Sequence, residues 1–262
     1  MIVAFTLGAC VGSFLNVCIH RLPADESIVR PGSRCPHCRQ PIAWYDNVPF
    51  LSWLWLRARC RHCGAGIAAR YPLVELAAAV LAVLSVVVFG PTPRALVAFA
   101  FAAALVLITF IDIDHRFIPD EVSLPGILVG VGVSFLLGDP SPRDAVLGAI
   151  LGGGVLWAVA WTYEHTTGVE GMGLGDVKLL AMIGAFLGWQ AIPMILIIAS
   201  VSGSLAGGAV IFTRERRPLR RRIVRQLGRR ALLAYVRRAA RRTEIPFGPF
   251  LALGALVMLF FG

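Results

Sequence analysis

Two aspartates in this 262-residue chain stand where a carboxylate is costly. Asp112 ends the apolar run Leu107-Ile108-Thr109-Phe110-Ile111-Asp112, and Asp176 heads another in Gly171-Met172-Gly173-Leu174-Gly175-Asp176-Val177-Lys178. A charge at such a place needs a task. Two carboxylates that share one proton have an obvious one: the charged member takes a proton from water while the neutral member donates to a scissile carbonyl, which is aspartyl protease chemistry. Asp176 opens a helix and is the expected base, with Asp112 as its acid, although such a pair titrates jointly. Gly173 and Gly175 leave space for a substrate backbone.

The other residues suited to chemistry are cysteines. Of six, Cys10 and Cys18 fall in the first apolar run, where small buried thiols need no further account. The remaining four form Cys35-Pro36-His37-Cys38 and Cys60-Arg61-His62-Cys63, within a weak internal repeat that extends to Ile42 and Ile67. Two Cys-x-x-Cys knuckles predict a closed tetrahedral zinc site with Cys35, Cys38, Cys60 and Cys63 as ligands and His37 and His62 as knuckle residues. The alternative is two disulfides, which a cytoplasmic loop would keep reduced. A closed site braces a loop and leaves no position for catalysis, so a zinc hydrolase is excluded.

These groups must be positioned by membrane helices. With 57% hydrophobic and 15% charged residues and a mean hydropathy of +0.75, the chain is too apolar for one soluble domain. The expected fold is an all-α polytopic membrane bundle of about eight spans, near residues 1–19, 71–89, 95–112, 122–138, 145–163, 177–190, 191–212 and 246–261. Residues 20–70 form a small cytoplasmic zinc-knuckle loop, in which prolines 31, 36, 41 and 49 argue against long helices and Trp44, Trp53 and Trp55 are expected at the membrane interface. Residues 71–262 form the remaining core and include a basic loop at 213–244. If the first span enters from outside, 23 of the 25 Lys and Arg residues lie on the cytoplasmic side, and Asp112 and Asp176 fall at the cytoplasmic ends of their spans. The 13 arginines from Arg214 to Arg242 are read as a topogenic, lipid-facing segment, so no nucleic acid partner is expected. No basic residue precedes Leu7-Gly8-Ala9-Cys10, and the first span is expected to stay uncleaved.

Around the aspartates, Asp114 lies ~200° from Asp112 on a helix and is read as an interfacial charge. Asp120 and Glu121 suit the first turn of a helix. Lys178 either snorkels or acts on Asp176, Glu75 pairs with Arg70 or receives a basic ligand, and Asn16 ties helices together. A proton-coupled transporter would show inverted repeats and broken helices, and the two halves show none. A presenilin-type protease would carry its partner aspartate in mid-span, whereas Asp112 ends one.

Several stretches together resemble the prepilin peptidases, or type IV leader peptidases. They are Gly12-Ser13-Phe14-Leu15-Asn16-Val17 continuing through His20-Arg21-Leu22-Pro23, Arg70 to Leu76, Ile111-Asp112 through Ile118-Pro119-Asp120, Gly171 to Lys178, and Ile245-Pro246-Phe247-Gly248-Pro249. The resemblance implies an inner-membrane endopeptidase, with Asp112 and Asp176 catalytic, that removes the short basic leader of type IV prepilins and pseudopilins after a glycine. Many members of that family also methylate the new amine with S-adenosylmethionine. A basic leader needs acidic partners on a positive surface; Glu75, Asp114, Asp120, Glu121, Glu164 and Glu170 are available, and Glu75, Asp120, Glu121 and Glu170 are the expected contacts beside Gly173, Gly175 and Lys178.

Overall fold

The computed structural model describes residues 1–168, 173–215 and 246–262. Among these the fold is all-helical: α1 (Ile2–Arg21), the short α2 (Leu51–Trp55), α3 (Arg70–Phe89), α4 (Pro93–His115), α5 (Asp120–Leu137), α6 (Pro142–Thr167), α7 (Leu174–Leu187), α8 (Ile192–Glu215) and α9 (Gly248–Phe261). Two isolated β-bridges in the cysteine loop are the only extended pairing among the described residues. The basic loop expected at 213–244 lies outside the described residues apart from the end of α8.

Helix ends follow local chemistry. Thr92 and Ser141 cap α4 and α6, each accepting from the N–H three residues on, with Pro93 and Pro142 at the first helical position. Arg116 and Gly138 end α4 and α5 in the left-handed region. Asp120 and Glu121 occupy the first turn of α5, as expected.

Six described helices, α1, α3, α4, α5, α6 and α8, are long and apolar enough to cross a bilayer. The other two expected spans are shorter. α7 and α9 have 14 residues each, about 21 Å at 1.5 Å per residue, against a hydrocarbon core of ~30 Å. The sixth expected span, 177–190, has the length of α7 but lies three residues too late, because hydropathy runs on through Gly188-Trp189-Gln190 whereas the chain turns at Gly188 with φ +79°.

α7 is the centre of the larger core. Its residues Leu179 to Ala185 are all buried, against α5, α6 and α9. α6 reaches it closely because Gly148 and Gly184 face each other with no side chain between, and a Cβ on either would overlap the other's backbone. A second core joins α1, α3 and α4 through Leu15, Val74, Ala78, Leu107 and Ile111. There Asn16 Nδ2 donates to the Tyr71 carbonyl at 3.0 Å, the expected interhelical tie.

Candidate active site

Asp112 lies in the last turn of α4 and is 5% exposed. Its Oδ2 accepts the N–H of Gly248 at 3.0 Å. The first N–H groups of a helix have no partner within it, and α9 begins at Gly248, so this carboxylate satisfies an orphan donor from a segment 136 residues away. Only glycine fits: a Cβ at position 248 would lie 2.5 Å from Oδ2. The motif Pro246-Phe247-Gly248-Pro249 was visible in the sequence, but its role as the clamp on Asp112 was not. The available signal was a glycine at the start of an apolar helix, followed by a proline that has no N–H to offer.

Asp176 lies half-buried in the first turn of α7, within Coulombic range of Asp112. Among the described residues its carboxylate accepts no hydrogen bond. Ile118, 6% exposed, separates the two arms: a Cβ at Gly175 would meet Ile118 Cβ at 3.1 Å, and one at Gly248 would meet Ile118 Cδ1 at 3.5 Å. Gly175 therefore makes room for Ile118, whereas Gly173 is exposed and a Cβ there would meet only the Gly175 N among the described residues, at 3.9 Å. The end of one long helix thus meets the starts of both short helices, and two carboxylates converge there.

The charges around the pair are mostly committed. Lys178 Nζ bonds both oxygens of Asp120 at 2.7 and 2.8 Å, which gives the lysine a partner on α5. Asp114 pairs with Arg70, so the expected Arg70–Glu75 bridge does not form. Glu75 is instead buried, and its Oε2 accepts the N–H of Phe50 at 2.9 Å. Phe50 needs that hold because it sits at φ +58°, a costly conformation for a bulky residue. Glu121 is exposed, and Glu170 lies outside the described residues.

The cysteine loop joins α1 and α3, at the same end of the bundle as Asp112. Its knuckles repeat at an interval of 25 residues. Cys35 N–H donates to Gln40 O as Cys60 N–H does to Ala65 O, and Arg39 N–H donates to Cys35 O as Gly64 N–H does to Cys60 O. Arg39 and Gly64 both take positive φ, at 57° and 68°. The four Sγ atoms lie within 4.8 Å of one another, and Cys35 and Cys63 are 3.8 Å apart. Two thiolates on one tetrahedral ion with 2.3 Å bonds would stand about 3.8 Å apart, whereas disulfide sulfurs stand at about 2.05 Å. The N–H of Cys38 holds the Cys35 thiol down to about 6, and that of Cys63 lowers Cys60 likewise. Cys63, despite the N–H of Ala65, is pushed up to about 11 by partial desolvation and by the other three thiols, so Cys35 and Cys60 are the readier thiolates. The cluster can hold a metal ion, without either histidine.

Between this loop and the ends of α1 and α3 lies a cavity of about 1000 Å³, lined among others by Asn16, His20, Tyr71, His37, Trp53 and Arg61.

Residues 6–89 match the bacterial peptidase A24 N-terminal domain, and residues 99–208 match the type IV leader peptidase family. The chain is 40% identical to a prepilin leader peptidase/N-methyltransferase of Burkholderia pseudomallei (strain 1026b), over 99% of this chain and 84% of that protein. The corresponding figures are 39%, 98% and 89% for the protein of that name from Aeromonas hydrophila, and 38%, 98% and 89% for that of Myxococcus xanthus (strain DK1622). No solved structure matches the chain.

Proposed function

The chain belongs to the type IV leader peptidase family, and we propose that it is a membrane-embedded aspartyl endopeptidase. Its substrates are type IV prepilins and pseudopilins, and it removes their short basic leader at the cytoplasmic face of the inner membrane. The observation that carries this reading is the convergence of Asp112 and Asp176, 64 positions apart in sequence, at one end of the bundle. Water between them gives a proton to the charged carboxylate and attacks the scissile carbonyl carbon, while the other carboxyl protonates the carbonyl oxygen. The tetrahedral intermediate then collapses, the C–N bond breaks, and the pair's proton passes to the leaving amine. The Gly248 N–H keeps Asp112 oriented throughout, and the pair shares one proton as a unit.

The cytoplasmic assignment rests on 23 of the 25 Lys and Arg residues falling on one side of the helix pattern. The leader docks at the acidic rim. Glu75 is engaged by Phe50 and Asp120 by Lys178, so exposed Glu121, with Glu170, is the principal contact. Zinc in the four-cysteine site braces the loop above. A peptide with a basic leader, a Gly-Phe junction and a following apolar helix should be cut by the purified chain, as read by mass spectrometry. Neutralising Glu121 and Glu170 together should weaken cleavage of that peptide more than of one whose lysines are replaced. Equal loss on both would sink electrostatic docking.

A second activity, methylation of the new amine with S-adenosylmethionine, is favoured by the cavity of about 1000 Å³ beside the cysteine loop, which is roomy enough for a nucleoside ligand. Tyr71→Ala should then lose the 14-dalton methyl increment on the product while still cutting the leader. A wild-type product that never gains that increment would remove this second activity alone.

A further inference from the structure

The cysteine loop does not stand clear of the helices. Its segment Pro49-Phe50-Leu51-Ser52-Trp53-Leu54-Trp55-Leu56 is apolar except at Ser52, and its Phe50 end reaches back against α1. Three contacts set its depth. α1 and α3 are antiparallel, and a Cβ at Gly12 would lie 2.6 Å from the Glu75 Cα, so Glu75 is level with the middle of α1. The Phe50 N–H bonds Glu75 there. The Phe50 ring goes farther and stacks on Phe5, centroids 5.9 Å apart. Phe5 is about 24 Å from the end of α1 at Arg21, counting 1.5 Å per residue. Because Arg70 pairs with Asp114, Asp112 is level with the first turn of α3, whereas Glu75 lies five residues, or about 7.5 Å, beyond Arg70. Phe50 thus reaches farther into the bundle than the aspartate does.

We infer that residues 49–56 form a re-entrant wedge whose outer face, Leu51, Leu54 and Trp55, is covered by the acyl chains of the bilayer that α1 spans. Those three side chains are 65%, 65% and 82% exposed on the protein. α1, with 20 residues, is about as long as the hydrocarbon core is thick, so a segment level with its middle lies at hydrocarbon depth. Lipid tolerates backbone there only if its polar groups are satisfied within the protein. The N–H groups of Leu51, Ser52, Leu54 and Leu56 donate to the carbonyls of Pro49, Val48, Phe50 and Ser52, and that of Phe50 to Glu75. The Ser52 hydroxyl accepts from Val48 N–H and donates to Tyr45 O, and the Trp53 indole donates to Ile67 O. Exposed Arg57 and Arg59 follow, where the chain climbs back toward the lipid phosphates. Trp53 O accepts from Ala58 N–H and Ala58 O from Ile67 N–H, so the segment rises from Phe50 toward the start of α3, and the wedge sets Leu51 deeper than Trp55.

The inference rests on the bundle spanning a bilayer, which resistance to alkaline carbonate extraction tests by itself. The intact chain in phosphatidylcholine vesicles, wild type and Trp55→Phe, is then compared for tryptophan quenching by acyl-brominated lipid and by aqueous iodide. The emission lost with Trp55→Phe should be the part that brominated lipid quenches and iodide does not. Leu51→Trp should add emission quenched most by bromines placed deep in the chain. Loss of an iodide-quenched component would place the segment in water, and loss of a component that neither agent reaches would place it under protein. Either result in carbonate-resistant protein overturns the wedge alone, whereas extraction by carbonate would remove the spanning reading beneath it.

Discussion

The cysteine cluster and the aspartate pair sit at the same end of the molecule but are built in opposite ways. Each knuckle closes on itself through the same backbone hydrogen bonds, and 28 residues separate the outermost ligands, Cys35 and Cys63. The aspartates have no local closure. Asp112 is held by a helix that begins 136 residues later, and Asp176 is brought to it by the packing of α7 among its neighbours. A metal cluster can therefore assemble from one loop, whereas the carboxylate pair exists only once most of the bundle has formed.

The largest break in that comparison comes from the carboxylates themselves. Asp112→Asn or Asp176→Asn should lower leader cleavage by at least ~10²–10⁴-fold, the usual weight of general acid–base catalysis, while membrane insertion and metal content stay unchanged. Loss of metal in either variant would show that the two regions are not independent. Combining the substitutions should add little, since residues that act as a unit are not additive. Asp114→Asn should retain substantial activity, because Asp114 is tied to Arg70 and away from the pair.

Gly248→Ala tests how Asp112 is held. The new methyl would lie 2.5 Å from Oδ2 and must displace the carboxylate, and a displacement near 1 Å costs about 10²-fold in turnover. The fall should appear in kcat more than in KM, with metal content again unaffected. Normal kcat would mean that the N–H of Gly248 does not orient the acid.

On the other side of the comparison, Cys35→Ser should remove about one zinc per chain, as read by metal analysis, with a smaller loss of cleavage than either asparagine variant. Glu75→Ala removes a buried acceptor from Phe50 N–H and should cost about 1–3 kcal/mol of stability, read as a lowered Tm, with Glu75→Gln milder because its amide oxygen still accepts. The smallest effect belongs to Asp46. Hydrogen bonds from Arg61 at 2.6 and 2.7 Å hold its carboxyl below the ordinary value. With the folded pKa below the unfolded one, the stabilisation is present above about pH 4 and is lost as pH falls through the folded value. Wild type should therefore exceed Asp46→Asn slightly in Tm at neutral pH, and the gap should close in acid. A gap independent of pH would remove the ion-pair account.

Much of this was legible before folding. Hydropathy placed eight helices, because each long apolar run must be buried or lie in lipid, and the charge bias put Asp112 and Asp176 on one side. Cysteine spacing identified the cluster, because a knuckle's geometry is contained in a few consecutive residues. Polar partners between helices were harder. Lys178 was read against Asp176, its near neighbour in sequence, and Glu75 against Arg70, yet both found partners on other segments, at Asp120 and Phe50.

The sequence by itself thus determined the class of fold and the four cysteines that cluster, and singled out Asp112 and Asp176 as the costly carboxylates, since these depend on composition and local spacing. Only the tertiary structure decided where α7 begins and ends, that Gly248 clamps Asp112, and that Phe50 reaches back against α1. Those outcomes depend on helix rotation and register, which are set by close contacts such as Gly148 with Gly184 and Gly12 with Glu75. Hydropathy measures how apolar a segment is; it carries no information about which of its faces meets which neighbour.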